Sequence, residues 1–282
     1  MGVKIGAETV GGFKIGAEIV GGMKVGTEII YRAAAPVATV LYGTATVGSG
    51  SYLVSINKAT GVATRVSSNT LGRDRILGLV YGGSLAWDGV NLFTADTATD
   101  ALFTVDRTTG VATRVGTAFN FSANVDVPAG LAWDGTNLLL TAENLVASPN
   151  FHALYTVDRT TGDATRVGTE VLDSSNALAW DGSTLFMVDG NREALFTVDR
   201  TTGTETRVGT ATRFGADLRS PSGLAWDGAN LFMADSGRDR LYTVDRTTGV
   251  ATRVGTATNF GLGRRRPFVR GLVSAPAPAT SD

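Results

Sequence analysis

The sequence predicts an all-β protein: a five-bladed β-propeller of four-stranded blades, closed by its C-terminal strand, behind a small N-terminal β-repeat anchor. Three observations predict it. The tetrapeptide Ala-Trp-Asp-Gly recurs at 86–89, 132–135, 179–182 and 225–228, and all four tryptophans of the chain lie in it. A second landmark, Thr-Val-Asp-Arg-Thr-Thr-Gly, recurs at 104–110, 156–162, 197–203 and 243–249, with a degenerate copy, Ser-Ile-Asn-Lys-Ala-Thr-Gly, at 55–61. Between the landmarks, apolar and polar residues alternate in short runs broken by Gly, Asn and Asp, the period of strands rather than helices.

The most regular unit runs from Gly223 to Gly255. Its first strand is Gly-Leu-Ala-Trp, its second Asn-Leu-Phe-Met-Ala, its third Leu-Tyr-Thr-Val-Asp and its fourth Ala-Thr-Arg-Val-Gly. Four strands in about 40–50 residues is the period of a propeller blade. Five copies of the third and fourth strands face only four Ala-Trp-Asp-Gly copies, and the chain ends explain the deficit. Arg270–Ala275 has the spacing of the missing first strand, and Ala38–Val47 aligns with a second strand. Residues 37–275 therefore read as five blades, with the ring closed so that no sheet edge is left open.

Residues 1–32 differ. Three decapeptides share the pattern x-Lys-(Ile/Val)-Gly-(Ala/Thr)-Glu, each offering two short strand pieces hinged at Gly. Thirty residues cannot bury a core alone, so the segment needs the propeller, a copy of itself or another protein as partner. The residues available for anchoring are Lys4, Ile5, Phe13, Ile15, Ile19, Met23, Val25, Ile29 and Ile30. Residues 33–36 read as a linker and 276–282 as a tail.

Composition excludes several functions. Apolar residues make up 43%, charged residues 18%, and the formal net charge is -1, so no overall field favours nucleic acid or a membrane surface. No apolar run is long enough for a membrane span. Lys4, Glu8, Lys14 and Glu18 interrupt every apolar run of a would-be signal peptide, so no signal is expected. Cys is absent, which removes disulfides and thiolate metal sites, and His152 is the one histidine.

Repetition separates building parts from site candidates. Asp106, Asp158, Asp199 and Asp245 sit where a carboxylate accepts backbone N–H groups of its own turn; the alternative, an acidic metal loop, lacks the Asp-x-Asp-x-Asp series. Each Trp suits the core between blades, with a sugar-stacking platform as the functional alternative. An acidic residue ends each second strand, at Asp96, Glu143, Asp189 and Asp235, with Thr46 in the first blade. These tie down the following loop or, as weak metal candidates, form a carboxylate ring for a cation. The cations Lys58, Arg107, Arg159, Arg200 and Arg246, and the second set Arg65, Arg114, Arg166, Arg207 and Arg253, recur in every blade; that points to blade packing or a solvated face. No cofactor is assigned.

Up-and-down blades put the first-to-second and third-to-fourth turns on one face, and these are nearly uniform. The second-to-third and blade-to-blade loops lie on the other face and vary. Variable loops on a rigid scaffold are where recognition sits. The binding candidates there are Asn120, Phe121, Asn150, Phe151, His152, Arg213, Phe214, Arg219, Asn259, Phe260, Arg264, Arg265 and Arg266. Mixed polar side chains with isolated aromatics suit a glycan or protein surface. No loop offers a defensible nucleophile–base pair, so no catalytic residue and no enzyme activity are assigned.

Two resemblances add to this reading. The stretch Leu231–Asp245 resembles the NHL-type propeller repeat, which implies the fold but transfers no function. The decapeptide run Phe13–Arg32 resembles short repeats near the N-termini of tailed-bacteriophage virion proteins such as tail-tip and fibre components. That resemblance implies a virion structural protein made in the host cytoplasm. Residues 1–32 would dock onto other virion proteins, as a homo-oligomer in the particle, and the propeller would be displayed for host-surface glycan or protein. The alternatives are a capsid decoration or head-fibre protein, and a lactonase-like or glycosidase-like propeller enzyme or solute-binding module.

Overall fold

In the computed structural model the chain divides into two units, Met1–Ala38 and Thr39–Asp282. The structure describes residues 4–5, 8–9, 22–25, 28–31, 39–47, 50–66, 83–97, 99–117, 121, 125–144, 151–174, 177–215, 218–262 and 268–278. In the first unit, β1 (Lys4–Ile5) pairs with β2 (Glu8–Thr9), and β3 (Gly22–Val25) with β4 (Glu28–Tyr31). Both pairs are antiparallel, and two residues separate their strands, as a tight hairpin requires. Met23 faces Ile30 across β3 and β4, Lys24 faces Ile29, and Val25 faces Glu28. The anchoring candidates Phe13, Ile15 and Ile19 lie outside the described residues.

The second unit is five antiparallel four-stranded sheets. Blade 1 runs β24 (Phe268–Pro276), β5 (Thr39–Val47), β6 (Gly50–Ile56) and β7 (Ala63–Arg65). Blade 2 is β8 (Leu85–Trp87), β9 (Leu92–Asp96), β10 (Ala101–Val105) and β11 (Ala112–Arg114). Blade 3 is β12 (Asp126–Trp133), β13 (Leu138–Asn144), β14 (Phe151–Val157) and β15 (Ala164–Arg166). Blade 4 is β16 (Leu178–Trp180), β17 (Leu185–Asp189), β18 (Ala194–Val198) and β19 (Glu205–Arg207). Blade 5 is β20 (Pro221–Trp226), β21 (Leu231–Asp235), β22 (Arg240–Val244) and β23 (Ala251–Arg253). The C-terminal β24 closes the ring beside β5, as the missing fifth tetrapeptide predicts. The register corrects two alignments. Leu138 pairs with Trp133 and Val157 as Leu185 pairs with Trp180 and Val198, so Ala142, not Glu143, is the counterpart of Asp189. Leu41 pairs with Ser274 and Ile56 as Leu92 pairs with Trp87 and Val105, so Ala45, not Thr46, is the counterpart of Asp96.

The core is five apolar clusters, one between each pair of neighbouring blades. Second strands such as Leu231–Asp235 are buried on both faces, because each blade is covered on both sides. Three candidates for recognition belong to this core. Phe121, Phe214 and Phe260 are fully buried, each in the cluster between the blade it leaves and the blade it enters. All three have left-handed backbones, with φ of 50, 55 and 47 degrees. That conformation turns the ring inward from the loop, and Leu172 fills the corresponding place between blades 3 and 4. They are plugs, not contact residues, because no surface of them is left for a ligand.

The uniform face is a ring of inter-blade ties. The carboxylates of Arg159–Asp88, Arg200–Asp134, Arg246–Asp181 and Lys58–Asp227 each belong to the blade preceding the cation. Arg107 donates instead to the carbonyl of Pro276, since β24 lacks the Asp-Gly turn. Each Arg also stacks on the Trp of its own blade: Arg107 on Trp87 at 3.9 Å, Arg159 on Trp133 at 4.3 Å, Arg200 on Trp180 and Arg246 on Trp226 at 4.2 Å. The other oxygen of each carboxylate accepts the N–H groups of its own turn, as Asp88 does from Val90 and Asn91. Burial alone would raise the Asp88 carboxyl, but those N–H groups and the Arg159 guanidinium together hold it below its usual range. The Trp rings are half-buried at the margins of the inter-blade clusters, so they are structural.

Candidate functional site

On the variable face the ring opens into an axial cavity of about 230 Å³, lined from all five blades. Its walls are Gly83, Ser84, Val127, Ala129, Glu143, His152, Ser174, Ala177, Asn191, Ser220, Pro221, Ser222 and Arg270. At the opposite end the axis narrows to about 90 Å³ between the Leu-Ala-Trp segments of the first strands and Leu272–Ser274. The first strands therefore build the channel, and what precedes each of them shapes its wide mouth.

Blades 1 and 3 break the symmetry with longer second and third strands, and blade 3 does so at the cavity. Strands β13 and β14 are seven residues long where β17, β18, β21 and β22 have five. The added pairs, Glu143 with His152 and Asn144 with Phe151, extend the hairpin on the variable face. Directly paired residues share one face of a strand pair, so Glu143 and His152 are neighbours as well as cavity walls. Opposite the hairpin, β12 carries register shifts around Pro128, and Val127 has φ of 46 degrees.

The structure distributes the remaining candidates. His152 lines the cavity; Phe151, beside it, is half-buried under the Arg166 guanidinium at 4.4 Å. Arg213 is exposed and paired with Glu193 at 2.8 Å. Arg219 is exposed, while its backbone N–H donates to the Asp235 carboxylate at 3.1 Å. Asn120, Asn150 and Arg264–Arg266 lie outside the described residues, as does the side chain of Asn259.

The acidic strand ends tie loops. The Asp235 carboxylate accepts N–H groups from Arg219, Ser220 and Gly237. Asp189 accepts those of Asn191 and Arg192 and is paired with the Arg192 guanidinium, and Asp96 accepts the Thr99 hydroxyl at 2.6 Å. Burial would raise the Asp189 carboxyl, but these donors lower it overall. Among the described residues no three His, Cys, Asp or Glu side chains gather as a metal site. Two of the described carboxyls depart upward. Glu205 is raised chiefly by burial, against the lowering effect of Arg192. Asp100 is pushed up to about 6 by burial and by the charges of Asp126 and Asp96, against the Val127 N–H, which lowers it.

Sequence reasoning missed Ser84 and Asn191 as cavity residues, read Arg270 with Arg264–Arg266 as a basic patch that could meet anionic polysaccharide or phosphate, and read Glu143 as a loop tie or metal candidate. The signal was present: Ser84 stands where the other blades have Gly or Ala, and Arg270 stands where they have residues such as Gly83, Ala129 and Ser222. Repeat alignment by landmarks overlooks positions where the landmark itself is absent.

No protein-family profile and no curated protein matches the chain. Solved structures do. A chain of the nidogen/laminin complex superposes with a TM-score of 0.52 at 12% identity, covering 84% of this chain and 98% of that one. A protein of unknown function from Bacteroides thetaiotaomicron superposes with a TM-score of 0.51 at 15% identity, covering 86% of this chain and 65% of that one. Both neighbours are NHL- or YVTN-like β-propellers, and at these identities the likeness carries the fold alone.

Proposed function

We propose that the chain is a non-enzymatic binding protein of a tailed-bacteriophage particle. It docks through residues 1–32 onto other virion proteins as a homo-oligomer and presents the variable face of the propeller to a host-surface glycan or protein. The observation that carries the binding reading is the division of labour between the two faces. One is a ring of repeated ties and turns; the other opens into a polar cavity lined from all five blades by non-repeated residues such as Arg270, Glu143, His152 and Asn191. Support for the particle comes from the decapeptide resemblance and from the paired short strands in the first unit, since a two-stranded hairpin is marginally stable by itself in water. The test is host-cell binding by the labelled full chain, together with particle incorporation of a chain lacking residues 1–32. The proposal expects cell binding by the full chain and loss of incorporation on truncation. Incorporation that survives truncation overturns the anchoring role, and a folded chain that binds no host surface overturns the display role.

A second reading, a hydrolytic or solute-binding propeller, is favoured by one observation. Glu143 and His152 are cross-strand neighbours in a cavity that also holds Ser84 and Ser174. Turnover of lactones or aryl glycosides that disappears in His152→Ala would support it; inertness of the full chain on both removes it.

A further inference from the structure

In a five-fold scaffold, departures from the repeat stand out. The residue before the axial Leu of each first strand is Ser84, Gly130, Ala177, Gly223 or Gly271. Crowding dictates small residues there: a Cβ on Gly223 would lie 2.2 Å from the Arg270 carbonyl oxygen, and one on Gly271 would lie 1.6 Å from that of Gly83. Ser84 is the one polar side chain in this ring. It is 6% exposed, it lines the cavity, and its hydroxyl has no hydrogen-bond partner among the described residues. A buried hydroxyl without a partner is destabilising, and alanine already serves at 177.

One residue further toward the mouth stand Gly83, Ala129, Ser222 and Arg270. The Ser222 hydroxyl is engaged, donating to the Val269 carbonyl at 3.2 Å. Arg270 is the one charged residue among these four. Ser84 and Arg270 belong to neighbouring strands clamped by Thr44, whose hydroxyl donates to the Gly83 carbonyl at 2.6 Å and accepts the Gly271 N–H at 3.0 Å. Ser84 and Arg270 thus line one cavity from adjoining strands, together with Glu143, His152 and Asn191, and the Arg270 guanidinium lies 5.8 Å from the Phe268 ring.

We propose that the axial cavity is a subsite for one carboxylate-bearing sugar, such as a terminal uronic acid. Arg270 pairs with the sugar carboxylate through its planar fork. The Ser84 hydroxyl bonds a sugar oxygen, while Glu143 and Asn191 accept and donate to the remaining hydroxyls. A volume of about 230 Å³ suits one monosaccharide, below the range of drug-sized ligand pockets, and the rest of a glycan leaves through the open mouth. The inference rests on the reading of the variable face as glycan-binding.

The test measures binding of glucuronic and galacturonic acids against glucose and galactose to the full chain by calorimetry and saturation-transfer NMR. The acids are expected to bind at least about tenfold more tightly than the neutral sugars, as one charge-assisted hydrogen bond provides. Arg270→Gln removes that preference. Ser84→Ala weakens acid binding by roughly five- to tenfold while the melting temperature holds or rises, an outcome that a structural hydroxyl would reverse. Should Arg270→Gln fail to fold, Ser84→Ala decides. Equal binding of acid and neutral sugars, or acid binding unchanged in Ser84→Ala, overturns the subsite. Cell binding by a chain that ignores all four sugars also overturns it but leaves the display reading standing; a folded chain that binds neither sugars nor cells overturns both.

Discussion

Replacing Phe214 with Ala separates a plug from a contact residue. The ring is fully buried, in a cluster that joins Phe186 and Leu195 of blade 4 to Leu224 and Tyr242 of blade 5. Its left-handed backbone is unfavourable by about 1–2 kcal/mol for a residue with a side chain, and the inserted ring offsets this. Truncating a buried Phe to Ala costs about 3–5 kcal/mol. At about 2–4 °C per kcal/mol for a domain of this size, the melting temperature should fall by roughly 6–20 °C. Phe214→Leu should cost only about 1 kcal/mol, because Leu172 already fills the equivalent place between blades 3 and 4. Thermal unfolding of the full chain by circular dichroism measures both. A Phe214→Ala protein that melts within about 2 °C of the parent but loses its ligand would refute the plug and return this residue to the recognition surface.

Other consequences follow from the ring and the buried carboxyl. Asp100 has its carboxyl raised to about 6, so the folded state binds the proton more tightly than the unfolded chain does, and this contribution is lost as pH rises from about 4 through 6. Asp100→Asn should therefore melt higher than the parent at pH 7 and level with it near pH 4, by differential scanning fluorimetry; the opposite ordering contradicts the buried-charge account. The exposed turn carboxylates act in the other sense. Hydroxyl and N–H donors of their own turns hold Asp158 and Asp199 at about 2, so their contribution is lost only as pH falls below the usual carboxylate range. Arg246→Ala removes both the tie to Asp181 and the stack on Trp226 and should cost about 1–3 kcal/mol in urea unfolding, with a double-mutant cycle against Asp181→Asn showing coupling. Deleting residues 268–282 removes β24 and exposes β5 as an edge, so cooperative unfolding should be lost and aggregation should appear in light scattering.

The fold was legible because each blade restates it. Repeated turns such as Asp245–Gly249 and the short apolar run Leu231–Ala234 fix strands locally, and the absence of a fifth Ala-Trp-Asp-Gly revealed the closing strand. The site was less legible. Phe121, Phe214 and Phe260 read as loop aromatics because only a left-handed backbone, invisible to periodicity, turns them inward. The dual use of Asp88 and its equivalents also escaped sequence reasoning: one oxygen makes the turn, the other reaches the next blade. Ser84 and Arg270 gain meaning only when register aligns them with smaller residues in the other blades, across a distance in sequence that no local pattern spans.

The central claim is that recognition belongs to the variable face around the axis. Hydrogen–deuterium exchange of the full chain, with and without saturating host-surface polysaccharide, tests it most directly. The account predicts protection around Gly83–Ser84, Val127–Ala129, the Glu143–His152 hairpin, Ser220–Ser222 and Val269–Gly271, with the repeated turns unchanged. Protection confined to those turns, at Asp88–Asn91, Asp106–Gly110 and their equivalents, would contradict it.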